Sequence, residues 1–336
     1  METVVSGVRP TGPLHIGNYF GALKNFVKMQ HDYNCYFFIA DYHSLTTHPR
    51  PQDLSYNVKL KLAEYVACGL DPEKCTIYLQ SDVPEIAEMY LLFNMIAYKG
   101  ELERATTYKD KVAKQQDNIN AGLLTYPVLM AVDIIIHKAL KVPVGKDQEQ
   151  HLEMTRNFSN RFNHLYNCEV FPEPKAFNYG EQLVKIPGLD GTGKMGKSEG
   201  EANAIFLIEE PNKTRKKIMR AVTDSGPEKP NQTKPEPIQN LFDIMAVVSS
   251  ADTVTHFDEA YKNCAIRYGD LKKQLAEDMV NFTTPFRESI LDLMDDHERM
   301  DSIAKMGAEK ARESARRTLD EVRVAIGLGV GATVVN

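Results

Sequence analysis

Apolar and polar positions alternate in blocks along the first half of the chain. "TVVSGV", residues 3–8, is a short apolar-rich run ahead of a Pro/Gly turn and predicts a buried strand. "HIGNYFGALKNFVKMQHDY" places Ile16, Tyr19, Leu23, Phe26 and Val27 at helical spacing and predicts a helix. "CYFFIAD" predicts a second strand, and "QDLSYNVKLKLAEYVACGL" a helix closed by Gly69. "CTIYLQS" predicts a third strand, followed by a helix in "PEIAEMYLLFNMIAYKG". "LKVPVG" and a helix from Asp147 to about Phe162 extend the same scheme. Strand–helix alternation of this kind predicts an α/β fold with an open, mostly parallel sheet. In such sheets ligands bind at the carboxyl ends of the strands.

The texture changes after Ser198. "AIFLIEEPNKTRKKIMRAVTDS" reads as a short strand, a turn at Pro211 and a helix, and "DSGPEKPNQTKPEP" as a surface loop. From Ile238 to about Ile326 the pattern is helical, ending in a long amphipathic helix; the glycine-rich tail "GLGVGATVVN" reads as loose. The chain therefore divides into two regions, 1–198 with the sheet and 199–336 all-helical. Composition agrees with a soluble globular protein: 336 residues, 43% apolar and 26% charged. A net charge of −6 gives no global sign of nucleic-acid binding, although a local basic face can hide within it. Lys213, Lys216, Lys217 and Arg220 fall near one face of a predicted helix and make either a phosphate-contacting or a solvated surface. Cys35, Cys68, Cys75, Cys168 and Cys264 form no C-x-x-C pair, which argues against zinc and for free thiols in a reducing, cytoplasmic setting. The opening "METVVSGVRP" has no secretory signal pattern, and no run approaches the roughly 18 apolar residues of a membrane span.

Two segments carry phosphate chemistry. Gly191 to Ser198, "GTGKMGKS", satisfies the P-loop pattern G-x-x-x-x-G-K-[ST]. A P-loop must follow a buried strand and open a helix. Here "PGLD" separates "LVKI" from Gly191, and the residues after Ser198 read as loop and strand, so the context fails. The second segment is "GVRPTGPLHIGNYFGAL" near the start. A strand ends at Gly7, a Pro/Gly turn comes next, and a helix opens near His15, with His15 and Asn18 on one face of its first turn. Gly12 and Gly17 let backbone approach a ligand, and a helix start favours an anion.

"PTGPLHIGN" and "KMGKS" together resemble the paired signatures of class I aminoacyl-tRNA synthetases, which usually read HIGH and KMSKS. "NYFGALKNFV", "GELERAT", "AGLLTYPVLMAVDI", "VPVGKDQEQHLEMTRNFSNRFN" and "AVTDS" resemble successive blocks of the bacterial-type tryptophanyl-tRNA synthetase family, over most of residues 1–225. The resemblance implies a Rossmann-like catalytic domain with a helical region that holds the anticodon. It implies ATP with Mg²⁺, without a dedicated protein metal site, and L-tryptophan and tRNA(Trp) as substrates. It further implies a homodimer. Open alternatives are a tyrosine-specific relative, a P-loop ATPase or kinase, and a non-catalytic module of the same fold.

The resemblance also implies roles. His15 and Asn18 would sit against the triphosphate, Gly17 would leave room for adenosine, and Arg9, Pro10 and Thr11 would form the preceding turn. Some relatives carry glutamine at the place of Arg9, whose charge would contact a phosphate or pair with a surface acid. Lys194 and Lys197 would neutralise the departing pyrophosphate, flanked by Met195, Gly196 and Ser198. Gly196 departs from the usual serine, which removes a hydroxyl but keeps an N–H. Gly145, Lys146, Asp147 and Ile186 would complete the adenosine pocket. Asp133, set in "VLMAVDIIIH", would accept the indole N–H, a lone donor suited to an acceptor-only carboxylate. Met130 and Tyr126 lie three and seven residues before it on the same helical face. Met130 would pack the ring, Tyr126 and Gln148 would bind the amino acid's polar end, and His43 would border the pocket.

Overall fold

The computed structural model describes residues 1–114, 118–145, 148–179, 184–191, 193–196 and 200–328. Five parallel strands lie in the order β3-β2-β1-β4-β5. They are β1 (Thr3–Val8), β2 (Asn34–Ile39), β3 (Thr76–Leu79), β4 (Lys141–Val142) and β5 (Lys175–Ala176). β1 and β2 pair in register from Thr3 opposite Asn34 to Val8 opposite Ile39. β1 coincides with the strand expected from "TVVSGV". β5 carried no sequence signal, since both of its residues are exposed.

Alternate side chains of the central strands feed two cores. Val4, Cys35, Phe37, Ile39 and Ile77 face the helix Pro51–Ala67 and the C-terminal helices. Val5, Tyr36, Phe38 and Tyr78 face the helices Pro84–Asn94, Ala121–Ile135 and Glu149–Leu165. This two-sided burial is what a parallel sheet with crossover helices demands. The helix expected after His15 forms in pieces: Ile16–Asn18, a π-helical turn Tyr19–Leu23, and Lys24–Met29. Such π-turns tend to sit at functional sites, and Gly21, Ala22 and Leu23 of this one line a cavity of about 620 Å³.

The C-terminal region is helical as the periodicity predicts, with helices Glu236–Val248, Ala251–Lys262, Tyr268–Asp295 and His297–Ala325. The last helix passes from one core to the other. Met300 and Ile303 belong to the first, while Ala311, Ala315, Leu319 and Val322 belong to the second. It crosses edge strand β3 at Gly307, where a Cβ would lie 1.7 Å from the Ile77 carbonyl oxygen. The final helix thus covers the sheet edge. Among the described residues no helix is long and apolar enough to cross a membrane.

The basic helix Pro211–Met219 differs from a free cationic face. Lys213 pairs with Glu201 and Glu209, Arg215 with Glu277, and buried Lys217 with Glu209 and the Ala204 carbonyl. Most of its charge is therefore spent within the fold.

Candidate active site

The chain lays down β1, β2 and β3 outward in one direction, then returns to place β4 on the other side of β1. That reversal opens a crevice at the carboxyl ends of β1 and β4. A cavity of about 620 Å³ occupies it. Gly7 and Val8 at the end of β1 line it with Arg9 just beyond, as do Val142 at the end of β4 and the following Pro143, Val144 and Gly145. Asn18, His43, Tyr126, Met130, Asp133, Gln148 and Lys194 converge on the same space. Residues spread over much of the chain thus meet in one pocket.

The first signature is anchored from below. Gly12 has φ 99°, a turn conformation that favours glycine. Its carbonyl accepts from Lys61 Nζ at 2.7 Å, and the Leu14 N–H donates to Glu64 Oε1 at 2.6 Å. Lys61 and Glu64 pair with each other at 2.6 Å and are 1% and 0% exposed, so a buried ion pair holds both polarities of the turn. Burial lowers the Lys61 pKa, and Glu64 opposes that shift. Asn18 Oδ1 accepts the His15 N–H at 3.1 Å and closes the first helical turn. His15 is buried with its ring edge-on to Phe206, and a Cβ on Gly17 would meet the His15 ring at 2.9 Å. Glycine at 17 therefore lets that ring fold over the turn. Arg9 is a half-buried cation whose Nε has no hydrogen-bond partner among the described residues, and burial lowers its pKa.

The second signature is a hairpin-like turn. Pro187 and Lys194 bridge in antiparallel fashion, and the Met195 N–H donates to the Ile186 carbonyl at 2.9 Å. Ile186 and Met195 are buried, whereas Lys194 is exposed at the cavity mouth. Asn203 Oδ1 accepts the Asp190 N–H at 3.0 Å and lies where a Cβ on Gly188 would collide at 2.3 Å. Beyond the glycine loop comes a short 3₁₀ turn, Glu201–Asn203, and no α-helix opens from that loop among the described residues. The P-loop alternative therefore lacks its helix. The strand expected at 204–208 is reduced to a single bridge, Phe206 with His15. Ile16 N donates to the Ile205 carbonyl and Leu207 N to the Leu14 carbonyl, both at 2.9 Å. The two signatures are stapled to each other through this segment.

Asp133 lies on the helix Ala121–Ile135 at 1% exposure. His43 Nε2 is 2.9 Å from its Oδ2, and Gln80 Nε2 donates to its Oδ1 at 2.7 Å. Burial raises the Asp133 pKa, while His43 and Gln80 pull it partly back. Each carboxylate oxygen retains capacity for another donor. Nearby, the Tyr126 hydroxyl lies 2.8 Å from His151 Nε2, and His151 Nδ1 lies 2.8 Å from Gln148 Oε1. Met130 lines the wall between these polar ends.

The structure thus brings Arg9, Asn18, His43, Tyr126, Met130, Asp133, Gly145, Gln148 and Lys194 to one cavity. His15, Gly17, Ile186 and Met195 form the buried bed beside it. Pro10 and Thr11 lie in the turn between Arg9 and Gly12, where the Thr11 N–H donates to the Arg9 carbonyl at 2.9 Å. Gly196 comes after Met195 at the end of the hairpin-like turn. Lys146, Asp147, Lys197 and Ser198 lie outside the described residues. Sequence reasoning passed over Lys61, Glu64, Gln80 and His151. A Lys–Glu pair at i, i+3 reads as a solvated helix pair, and a lone Gln or His carries no pattern.

The family described as tRNA synthetases class I (W and Y) matches residues 2–284. A tryptophan–tRNA ligase of Porphyromonas gingivalis is 62% identical over 97% of this chain and 99% of its own length. The Bacillus subtilis tryptophan–tRNA ligase is 41% identical, over 98% of both chains. A solved tryptophanyl-tRNA synthetase from Campylobacter jejuni, complexed with ADP and tryptophan, superposes with a TM-score of 0.89 at 35% identity, covering 97% of this chain and 100% of that one.

Proposed function

The chain belongs to the class I tRNA synthetases for tryptophan and tyrosine and is an ATP-dependent tryptophan–tRNA ligase, and on that premise we propose how its residues divide the work. The tryptophan carboxylate attacks the α-phosphate of ATP, giving tryptophanyl-AMP and pyrophosphate. A ribose hydroxyl at the 3′ end of tRNA(Trp) then takes the tryptophanyl group and AMP leaves. Neither step needs a protein nucleophile, so catalysis is positioning and charge stabilisation.

In our reading His15, Gly17 and Asn18 hold ATP at the first signature, with Pro10 and Thr11 shaping the turn. Arg9 faces the anionic reacting groups; its buried Nε, without a hydrogen-bond partner among the described residues, supports this, since a desolvated guanidinium gains from a phosphate or carboxylate. Lys194 and Lys197 stabilise the pyrophosphate, Met195, Gly196 and Ser198 carry that loop, and Gly145, Lys146, Asp147 and Ile186 border adenosine. Mg²⁺ arrives on the phosphates. The region 199–336 holds the anticodon arm. We place the enzyme in the cytoplasm as a homodimer. Support for the dimer comes from Leu91, Met95 and Tyr98, an apolar set exposed by 55%, 73% and 62% around the end of one helix.

Asp133 carries the substrate assignment. A carboxylate this buried, steadied by His43 and Gln80 and opening on the cavity, suits the single N–H of indole. The chain contains no tryptophan, so bound tryptophan supplies the only indole fluorescence. We expect saturable tryptophan binding, tryptophan-dependent ATP–pyrophosphate exchange, and a loss of at least about tenfold in affinity in Asp133→Ala. Exchange driven by tyrosine, or unchanged affinity in Asp133→Ala, would overturn the assignment.

A further inference from the structure

Tyr126, His151 and Gln148 all line the cavity, and a hydrogen-bonded chain joins them. His151 is 4% exposed, and its ring stands edge-on to Tyr126 with centroids 5.4 Å apart, so its orientation is fixed by packing. Chemistry sets the direction of the hydrogen bonds. Gln148 Oε1 only accepts, so His151 Nδ1 carries a hydrogen. In the neutral imidazole Nε2 is then a lone pair, and the Tyr126 hydroxyl must donate to it.

We propose that His151 is a positioning residue that sets the hydrogen-bond polarity of the groups reading the amino acid's polar end. With its proton committed to His151, the Tyr126 oxygen offers lone pairs to the α-ammonium. With its carbonyl committed to His151, Gln148 offers its amide N–H to the α-carboxylate. The opposite tautomer would reverse both and set donor against ammonium and acceptor against carboxylate. His151 thereby selects the zwitterion over indoles lacking either charge. This rests on the reading that Tyr126 and Gln148 hold the polar end.

The test is ATP–pyrophosphate exchange by the full chain, with tryptamine and indole-3-propionate as competing ligands that lack the carboxylate or the ammonium. His151→Leu is expected to raise the tryptophan KM at least about tenfold, the scale of one hydrogen bond to a charged group. ATP KM and kcat should hold within about threefold, and the inhibition constants of both analogues should move less than the tryptophan KM. His151→Gln, whose amide can donate to Gln148 and accept from Tyr126, should recover most of the loss. Where urea unfolding shows that the leucine variant does not fold, His151→Asn, too short to bridge both partners, carries the same expectation. An unchanged tryptophan KM, equal damage to ATP and tryptophan, or a glutamine variant as poor as leucine overturns the proposal. Tyr126→Phe and Gln148→Ala separate the two failures. If they too leave the tryptophan KM unchanged, the polar-end reading falls. If they raise it and His151→Leu does not, only the role of His151 falls.

Discussion

Asp133 has to accept a hydrogen bond in surroundings that penalise its charge. Burial raises its pKa, and the donors at His43 and Gln80 work against that shift. Gln80 touches Asp133 and is not among the residues that line the cavity, so under the proposed assignment it would act on tryptophan only through the carboxylate. Gln80→Leu should therefore raise the tryptophan KM about tenfold at neutral pH while ATP KM stays within about twofold, as read in the exchange assay. Protonation removes the negative charge and turns one carboxylate oxygen into a donor, so tryptophan affinity should fall on acidification and begin to do so above the usual carboxylate range. Loss of the Gln80 amide should move that onset higher. This residue also marks where sequence reading stops. Asp133 stood out because a carboxylate in an apolar run needs an explanation. Gln80 follows β3, 53 residues earlier in the chain, and acquires meaning only when the fold places the two 2.7 Å apart.

The helix Pro51–Ala67 shows the same limit for a whole element. Its length and its glycine stop were legible, but its Lys61–Glu64 pair was indistinguishable from a solvated one. In the fold the pair is buried beneath the turn proposed to hold ATP and tied to both ends of Gly12–Leu14. Removing one partner strands the other charge. Glu64→Leu should cost about 3–5 kcal/mol in urea unfolding, and adding Lys61→Met should recover most of it. The double variant nevertheless leaves the turn without either anchor, so its ATP KM should remain raised while its tryptophan KM does not. Equal ATP KM in the wild type and the double variant would reduce the pair to a structural filler. The expected strand at 204–208 failed for a related reason. Its apolar run was real, but the partner available to it is a turn, so it forms one bridge with His15 and not a ladder.

At the scale of the molecule, the last helix ties the C-terminal region to the sheet. Amphipathic spacing predicted that helix but not what its apolar face would cover. Gly307 permits the crossing, and Gly307→Ala should lose at least about 2 kcal/mol of stability because the new Cβ meets β3 backbone. Farther along, Ser314 Oγ lies 3.1 Å from His137 Nδ1, and the Tyr78 hydroxyl lies 3.0 Å from His137 Nε2. Tyr36 stacks on the same ring at 4.1 Å. His137 thus joins the sheet to the final helix, and burial depresses its pKa from 6.5 to about 3. A histidine held neutral when folded binds its proton in the unfolded chain first. Its contribution to stability is therefore complete above pH 6.5 and is lost progressively down to about pH 3. Over that window one such group adds about 1.4 kcal/mol per pH unit to the slope of stability against pH. His137→Gln keeps a donor and an acceptor but cannot titrate. The difference in unfolding free energy between wild type and variant cancels the shared carboxylates, so it should shrink steadily from pH 7 to pH 4. A difference that stays flat would mean that His137 binds its proton equally well in the folded and unfolded chain, and that burial does not hold it neutral.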